Sequence, residues 1–169
     1  MPSGKKTRRS STGRLRLQDY LPYRLSVAAN AVSQLIARSY EAKFALKIPQ
    51  WRLLAVLADE GALTPQMLCG RTLMDKVTVM RAAQGLRRRR LIGRLPNDRD
   101  GRSHRLELTT SGKQLYARIA PLALKYEALL LIGIAQRDVR RFDRLLRQIE
   151  QAASKARGAI DRGAAARGR

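Results

Sequence analysis

The sequence predicts a mostly α-helical chain with a single small β-hairpin. Apolar residues recur at helical spacing in several stretches, Val27, Ala31 and Leu35 in one and Val79, Ala83 and Leu86 in another. Strand-like alternation is confined to one place, where Leu91–Leu95 and Arg105–Thr109 flank the charged, turn-rich segment Pro96-Asn-Asp-Arg-Asp-Gly-Arg102. Two short helical stretches meet at Cys69-Gly70-Arg71-Thr72, read as the turn between them, and the second runs straight into that hairpin. Helix, tight turn, helix and hairpin in this order are a winged helix-turn-helix.

Residues 1–18 hold Lys5, Lys6, Arg8, Arg9, Arg14 and Arg16 with no acidic residue before Asp19. Too little apolar surface is present there to fold, so the stretch reads as a disordered basic arm that either follows a nucleic-acid groove or only solubilises the chain. Leu21–Leu46 is helical by pattern, with Pro22 in the first turn, where its missing N–H costs nothing. Its apolar surface is broad for one neighbour, which points to a second subunit. Pro49 is expected to open the next helix and Gly61 to close it, with Trp51, Leu54, Leu57 and Ala58 as its buried stripe. Thr64 and Pro65 form a cap and first-turn pair for another helix, in which Met67, Leu68 and Leu73 are expected to point inward.

Asp75 is placed to cap the following helix, whose polar faces carry Lys76, Thr78, Met80, Arg81, Gln84 and Arg87. After the hairpin a helix is expected from about Lys113 to Ile134, bent at Pro121 and interrupted at Gly133. A last helix runs from Gln136 to about Lys155, with Val139, Phe142, Leu145, Leu146 and Ile149 near heptad spacing. The predicted organisation is therefore a basic arm (1–18), a helical dimerisation region (19–46 and 113–155), a winged helix-turn-helix (47–112) and a basic tail (156–169). In fold class the chain is mostly α with a small β-wing: a winged helix-turn-helix plus N- and C-terminal dimerisation helices.

Composition narrows the function. The chain of 169 residues has a formal net charge of +22, and such a charge repels itself unless a polyanion neutralises it. Ten Lys/Arg and only two Asp fall between Lys76 and Arg105, which concentrates the field on the second helix of the helix-turn-helix and on the hairpin. Phosphate contacts made by such a field bind any duplex, with an affinity that falls steeply with salt. A solvated helix face is the plainer reading of the run Arg87–Arg90 taken alone.

No run of apolar residues is long enough to span a bilayer, and the basic N-terminus lacks the apolar core of a secretory signal, so no membrane partner is expected. One cysteine and one histidine can form neither an internal disulfide nor a metal site alone, which fits a reducing, cytoplasmic setting. Aromatic content of 5% argues against stacking single-stranded bases. No phosphate loop, paired carboxylates or base-activated nucleophile is legible, so neither an enzyme nor a cofactor is expected.

Residues 48–116 resemble the MarR family of bacterial transcriptional regulators. The resemblance rests on Trp51-Arg52-Leu53-Leu54-Ala55-Val56-Leu57, on Leu63-Thr64-Pro65, on Asp75-Lys76-x-Thr78-Val79-x-Arg81, and on Asp100-Gly101-Arg102-Ser103 followed by Leu108-Thr109-x-x-Gly112. It implies a homodimer with interlocked terminal helices, two winged domains on a pseudo-palindrome of double-stranded DNA, and repression relieved by a small ligand. Carried over by position, Lys76, Thr78, Met80, Arg81 and Gln84 would face the major groove.

Asp100 and Arg102 match the pair that braces the wing in the family. Gly101 stands where the family often has Arg, leaving Arg99 or Arg102 to reach the minor groove. Val77 and Met80 replace commoner small polar residues, which favours contacts to thymine methyls.

The segment Tyr20-Leu21-Pro22-Tyr23-Arg24-Leu25-Ser26 resembles a branch that controls aromatic-acid catabolism, some members answering to aromatic acyl-CoA thioesters. That resemblance nominates Tyr23, Arg24, Asn30, Arg38 and Tyr40 to hold an aromatic effector; the plainer reading is that they pack and cap a dimer seam. Cys69 lies away from the dimer-helix start where oxidation-sensing relatives keep their cysteine. His104 reads as a surface or phosphate-facing residue. Against sequence-specific regulation stands one alternative, an architectural DNA-binding protein that uses its basic tails on any duplex.

Overall fold

A computed structural model describes residues 15–97 and 103–167. Six helices and one hairpin follow in order: α1 (Leu21–Phe44), α2 (Ile48–Glu60), α3 (Pro65–Thr72), α4 (Lys76–Arg88), β1 (Ile92–Pro96), β2 (His104–Leu108), α5 (Thr110–Leu130) and α6 (Gln136–Arg167), with a single 3-10 turn at Leu17–Asp19 ahead of α1. The chain divides into two compact units, residues 1–121 and residues 122–169.

Within the first unit, local chemistry sets the helix ends. Pro22 sits in the first turn of α1, which closes at Ala45 in the left-handed region (φ 48°). α2 begins at Ile48, one residue before the proline expected to open it. Lys47 is its N-cap, and Gln50 Oε1 accepts the Lys47 backbone N–H at 3.0 Å. Gly61, at φ 79°, ends α2 as expected, because only glycine takes that conformation without strain. Thr64 Oγ1 accepts the Met67 N–H at 3.2 Å, so α3 starts where the Thr-Pro pair placed it.

α3 is longer than its sequence suggested. Cys69–Thr72 are helical, and the turn falls instead at Leu73, in the left-handed region at φ 52°. That shift corrects the expected packing. Leu68 is fully buried, whereas Leu73 is 81% exposed and Met67 47% exposed.

The core of this unit lies where α2, α3 and α4 converge on the hairpin. Leu53, Leu54, Leu68, Val79, Leu86 and Leu106 are sealed from solvent, each contributing about 1.5–3 kcal/mol of burial. β1 and β2 pair antiparallel in the register Ile92↔Leu108, Arg94↔Leu106 and Pro96↔His104. Leu63 adds an isolated bridge to Leu106, exchanging backbone bonds of 3.0 and 2.7 Å, and so fastens the loop before α3 to the wing. Trp51 lies between two tyrosines, edge-on to Tyr40 at 5.0 Å and stacked on Tyr116 at 5.8 Å, the packing role expected of it.

α5 starts at Thr110, earlier than the expected Lys113, because Thr109 acts as its cap. Thr109 Oγ1 accepts the Gly112 N–H at 3.1 Å and donates to the Arg90 carbonyl at 2.7 Å. Gly112 is buried, and a Cβ there would collide with the Leu91 carbonyl oxygen, so only glycine lets α5 approach the β1 backbone this closely. Pro121 lies inside α5.

In the second unit α5 ends at Leu130, short of the expected Ile134; Gly133 (φ 80°) turns the chain, and α6 then runs to Arg167. Residues 156–167, placed by the sequence in a basic tail beyond the last helix, are therefore helical, as their alanine content favours. Exposed Phe142, Leu145 and Ile149 form one apolar stripe along α6. In the first unit α1 likewise exposes Val27, Val32 and Leu35.

Candidate nucleic-acid interface

α4 is held by one face and offered by the other. Val79, Ala82, Ala83 and Leu86 are buried on its inner side, while Lys76, Val77, Met80, Arg81, Gln84 and Arg87 are exposed. Its start is fixed by a two-point cap: Asp75 accepts the Thr78 backbone N–H at 2.8 Å through Oδ1 and the Thr78 hydroxyl at 2.6 Å through Oδ2. The hydroxyl bond and then the backbone bond from Thr78 hold the Asp75 carboxyl below the ordinary carboxylate range. Thr78 is half-buried, and its hydroxyl proton is committed to Asp75, so it meets any ligand only as an acceptor.

The run Arg87–Arg90 is not one patch. Arg87 lines an open cleft between α4 and β2, together with Lys76, Met80, Gln84 and His104. Arg88 lines a separate groove with Lys47, Gln50 and Arg81 at the start of α2. Arg89 turns back to the end of α1, donating to the Ala45 and Phe44 carbonyls at 2.8 Å each. Arg90 takes the left-handed conformation (φ 56°) that turns the chain out of α4 towards the hairpin. The charge run thus supplies two surface cations, one strut and one turn residue.

Towards the tip end of the hairpin the Arg94 guanidinium lies 2.8 Å from Nδ1 of His104. Arginine can only donate, so Nδ1 accepts and the proton of the neutral ring sits on Nε2. Burial pushes the His104 imidazole below its ordinary value, and the charges of Arg94 and Arg87 push the same way. Further along the wing, Asn97 donates to Ser103 Oγ across the base of the tip. Arg99 and Arg102, expected to reach the minor groove, lie outside the described residues, as do Asp100 and Gly101.

Gly85, which costs a helix interior about 1 kcal/mol relative to alanine, has a structural reason to be in α4. It is buried, and a Cβ there would strike the side-chain amide of Gln50, the residue that caps α2. An added Cβ would therefore make the Gln50 side chain move, at the expense of its bond to the Lys47 N–H.

Residues 46–103, from the end of the α1–α2 link through the helix-turn-helix and into the wing, match the MarR family model. A MarR family transcriptional regulator from Silicibacter pomeroyi superposes with a TM-score of 0.74 at 27% identity, covering 82% of this chain and 93% of that one. The chain carries a winged helix-turn-helix of the MarR type.

Two further MarR-like folds agree over nearly their whole lengths. A MarR/EmrR family regulator from Acinetobacter sp. ADP1 gives a TM-score of 0.77 at 20% identity, covering 83% of this chain and 99% of that one. BpsR from Bordetella bronchiseptica, whose DNA binding is regulated by 6-hydroxynicotinic acid, gives 0.73 at 21% identity, covering 82% and 98%. Among curated proteins none matches. The chain thus has the fold of the MarR transcriptional regulators.

Within this MarR fold the major-groove set is gathered and the effector set is not. Lys76, Met80, Arg81 and Gln84 share the exposed side of α4, beside Thr78. Tyr23, Arg24, Asn30 and Arg38 are exposed along α1, where Tyr23 and Arg38 stand about 22 Å apart at 1.5 Å per residue. Tyr40 is 1% exposed and packed on Trp51, so it belongs to the core and is withdrawn from the effector set. Sequence reasoning missed Arg94 and underused His104. The signal available was register: residues 94 and 104 lie on the same hairpin face, one pair apart. Cys69 is half-buried on α3. No group of His, Cys, Asp and Glu among the described residues could hold a metal ion, and no described helix is long and apolar enough to cross a membrane.

Proposed function

We propose that this chain, with its MarR-type fold, is a ligand-responsive, sequence-specific DNA-binding transcriptional regulator that works as a homodimer on a pseudo-palindromic operator. The observation that carries this reading is the asymmetry of α4, whose apolar side is sealed in the core while Lys76, Met80, Arg81 and Gln84 stand in solvent. A long side chain with a planar donor fork suits a guanine edge, an amide suits adenine, and Met80 suits a thymine methyl. The exposed stripes on α1 and on α6 support self-association, since large apolar residues left in water mark an interface. Two reading helices in a symmetric dimer then address half-sites about 34–36 Å apart.

Repression released by a small aromatic acid, or by its CoA thioester, is the effector reading we favour. Tyr23 and Arg24, adjacent and exposed at the start of α1, support it as an aromatic and a cationic group able to meet such a ligand. The fold-related BpsR responds to one such acid, 6-hydroxynicotinic acid. A ligand that prefers the splayed dimer to the DNA-matched one withdraws it from the operator, by no more than that difference in affinity.

The test is selection from a random duplex library at two salt concentrations. Enrichment of two related half-sites one helical turn apart, persisting while overall affinity falls with salt, supports the reading. Enrichment of nothing would instead favour an architectural protein, a reading that the net charge of +22 keeps in view.

A further inference from the structure

His104 occupies an unusual electrostatic position. It lines the cleft between α4 and β2, where the other charged groups are the α4 cations Lys76, Arg81 and Arg87, and β1 adds Arg94 at 2.8 Å. No carboxylate is among the described residues lining this cleft. On β2 itself, Arg105 and Glu107 lie on the opposite face by alternation. α2 and α3 also pack on the strand, yet Arg52, Asp59, Glu60 and Arg71 line none of the cleft. A neutral imidazole held among cations by a hydrogen bond from one of them is a poor base in the free protein. It becomes a better one as soon as an anion enters.

We propose that Arg87, Arg94 and His104 form a binding site for a backbone phosphate between α4 and the tip end of the wing strands, and that His104 takes up a proton there when duplex DNA docks. The inference rests on the DNA-binding reading of the cationic α4 face and names additional residues of that surface. The phosphate oxygen meets the Arg87 guanidinium and the His104 Nε2–H. A proton from solvent adds to the Nδ1 lone pair, and the Arg94 N–H formerly donated to Nδ1 turns to the phosphate. One proton is gained per site and no covalent bond to the phosphate forms. By linkage, a group that binds a proton more tightly in the complex than in the free protein makes the complex tighter as pH falls.

His104 is the single histidine of the chain, so its imidazole Cε1–H resonance can be titrated by NMR without assignment or mutation. A random-sequence duplex of about 20 base pairs serves as probe, since phosphate contacts are indifferent to sequence. The expected result is that the titration midpoint of the full-length protein moves to higher pH on adding duplex, while inorganic phosphate alone leaves it in place. Duplex affinity at constant ionic strength should rise about threefold or more from about pH 7.5 to about pH 6, and this rise should vanish in His104→Gln.

Duplex binding with an unmoved histidine titration overturns the proposal, as does an equal pH slope in His104→Gln. A shift with inorganic phosphate as large as with duplex overturns the assignment to the DNA backbone. Failure to bind duplex at any pH removes the DNA-binding reading together with this one.

Discussion

The Arg89 guanidinium closes the end of α1, donating to the Ala45 carbonyl at 2.8 Å and through its second terminal nitrogen to the neighbouring Phe44 carbonyl at 2.8 Å. A cation at a helix C-terminus satisfies orphan carbonyls and opposes the negative end of the helix dipole. The same residue follows α4 directly, so one side chain joins the reading helix to the helix proposed to meet a second subunit. Replacement by alanine is expected to lower unfolding free energy by about 1 kcal/mol, and lysine to restore part of it, since lysine keeps the charge without the fork. Urea unfolding of the two variants checks this; equal stability of Arg89→Ala and the parent would mean the strut carries no load.

Gly112 and Gly70 make a matched pair. Alanine at 112 would drive its Cβ into the Leu91 carbonyl and disturb the Thr109 cap, at a cost of about 1–3 kcal/mol. At 70, inside α3, nothing lies within 4 Å of an added Cβ. Gly70→Ala should therefore stabilise by about 0.5–1 kcal/mol through backbone entropy alone. Thermal melts of the two variants should move in opposite directions.

Acid should act on the cap of α4. The folded-state pKa of Asp75 lies below the ordinary aspartate value of 3.8, so the stability it adds is complete above that value and is lost as pH falls through the lower, folded value. The difference in unfolding free energy between the parent and Asp75→Asn should accordingly be constant near neutrality and shrink below about pH 4. A difference unchanged down to about pH 2 would contradict the Thr78–Asp75 account.

On DNA, Arg81 should behave unlike Arg88. Arg81→Ala is expected to relax base preference at one position of each half-site, at a cost of about 1–3 kcal/mol there. Arg88, in the groove beside the α2 start, should when replaced weaken all duplexes alike and flatten the salt dependence. Competition binding with single-position operator variants separates the two; a uniform effect of Arg81→Ala would make it a phosphate contact.

Features set within a few residues of chain are legible in the sequence. Asp75 and Thr64 cap their helices, Pro22 sits in a first turn, Gly61 ends α2, and Val79, Ala83 and Leu86 form the buried stripe of α4, because caps and helical periodicity involve neighbours three or four positions apart.

What needed the tertiary structure is whatever depends on groups distant in sequence but close in space. Leu73 and Met67 are as apolar as Leu68, yet only Leu68 finds the core, because a left-handed residue at 73 turns the chain outward. Four consecutive arginines look alike in sequence. They part company because one meets carbonyls of α1 and another a cleft shared with β2. Tyr40 left the proposed effector group for the same reason: the Trp51 ring, on the following helix, had already claimed it. Burial and pairing across the fold are settled by which surfaces meet, and no local pattern carries that information.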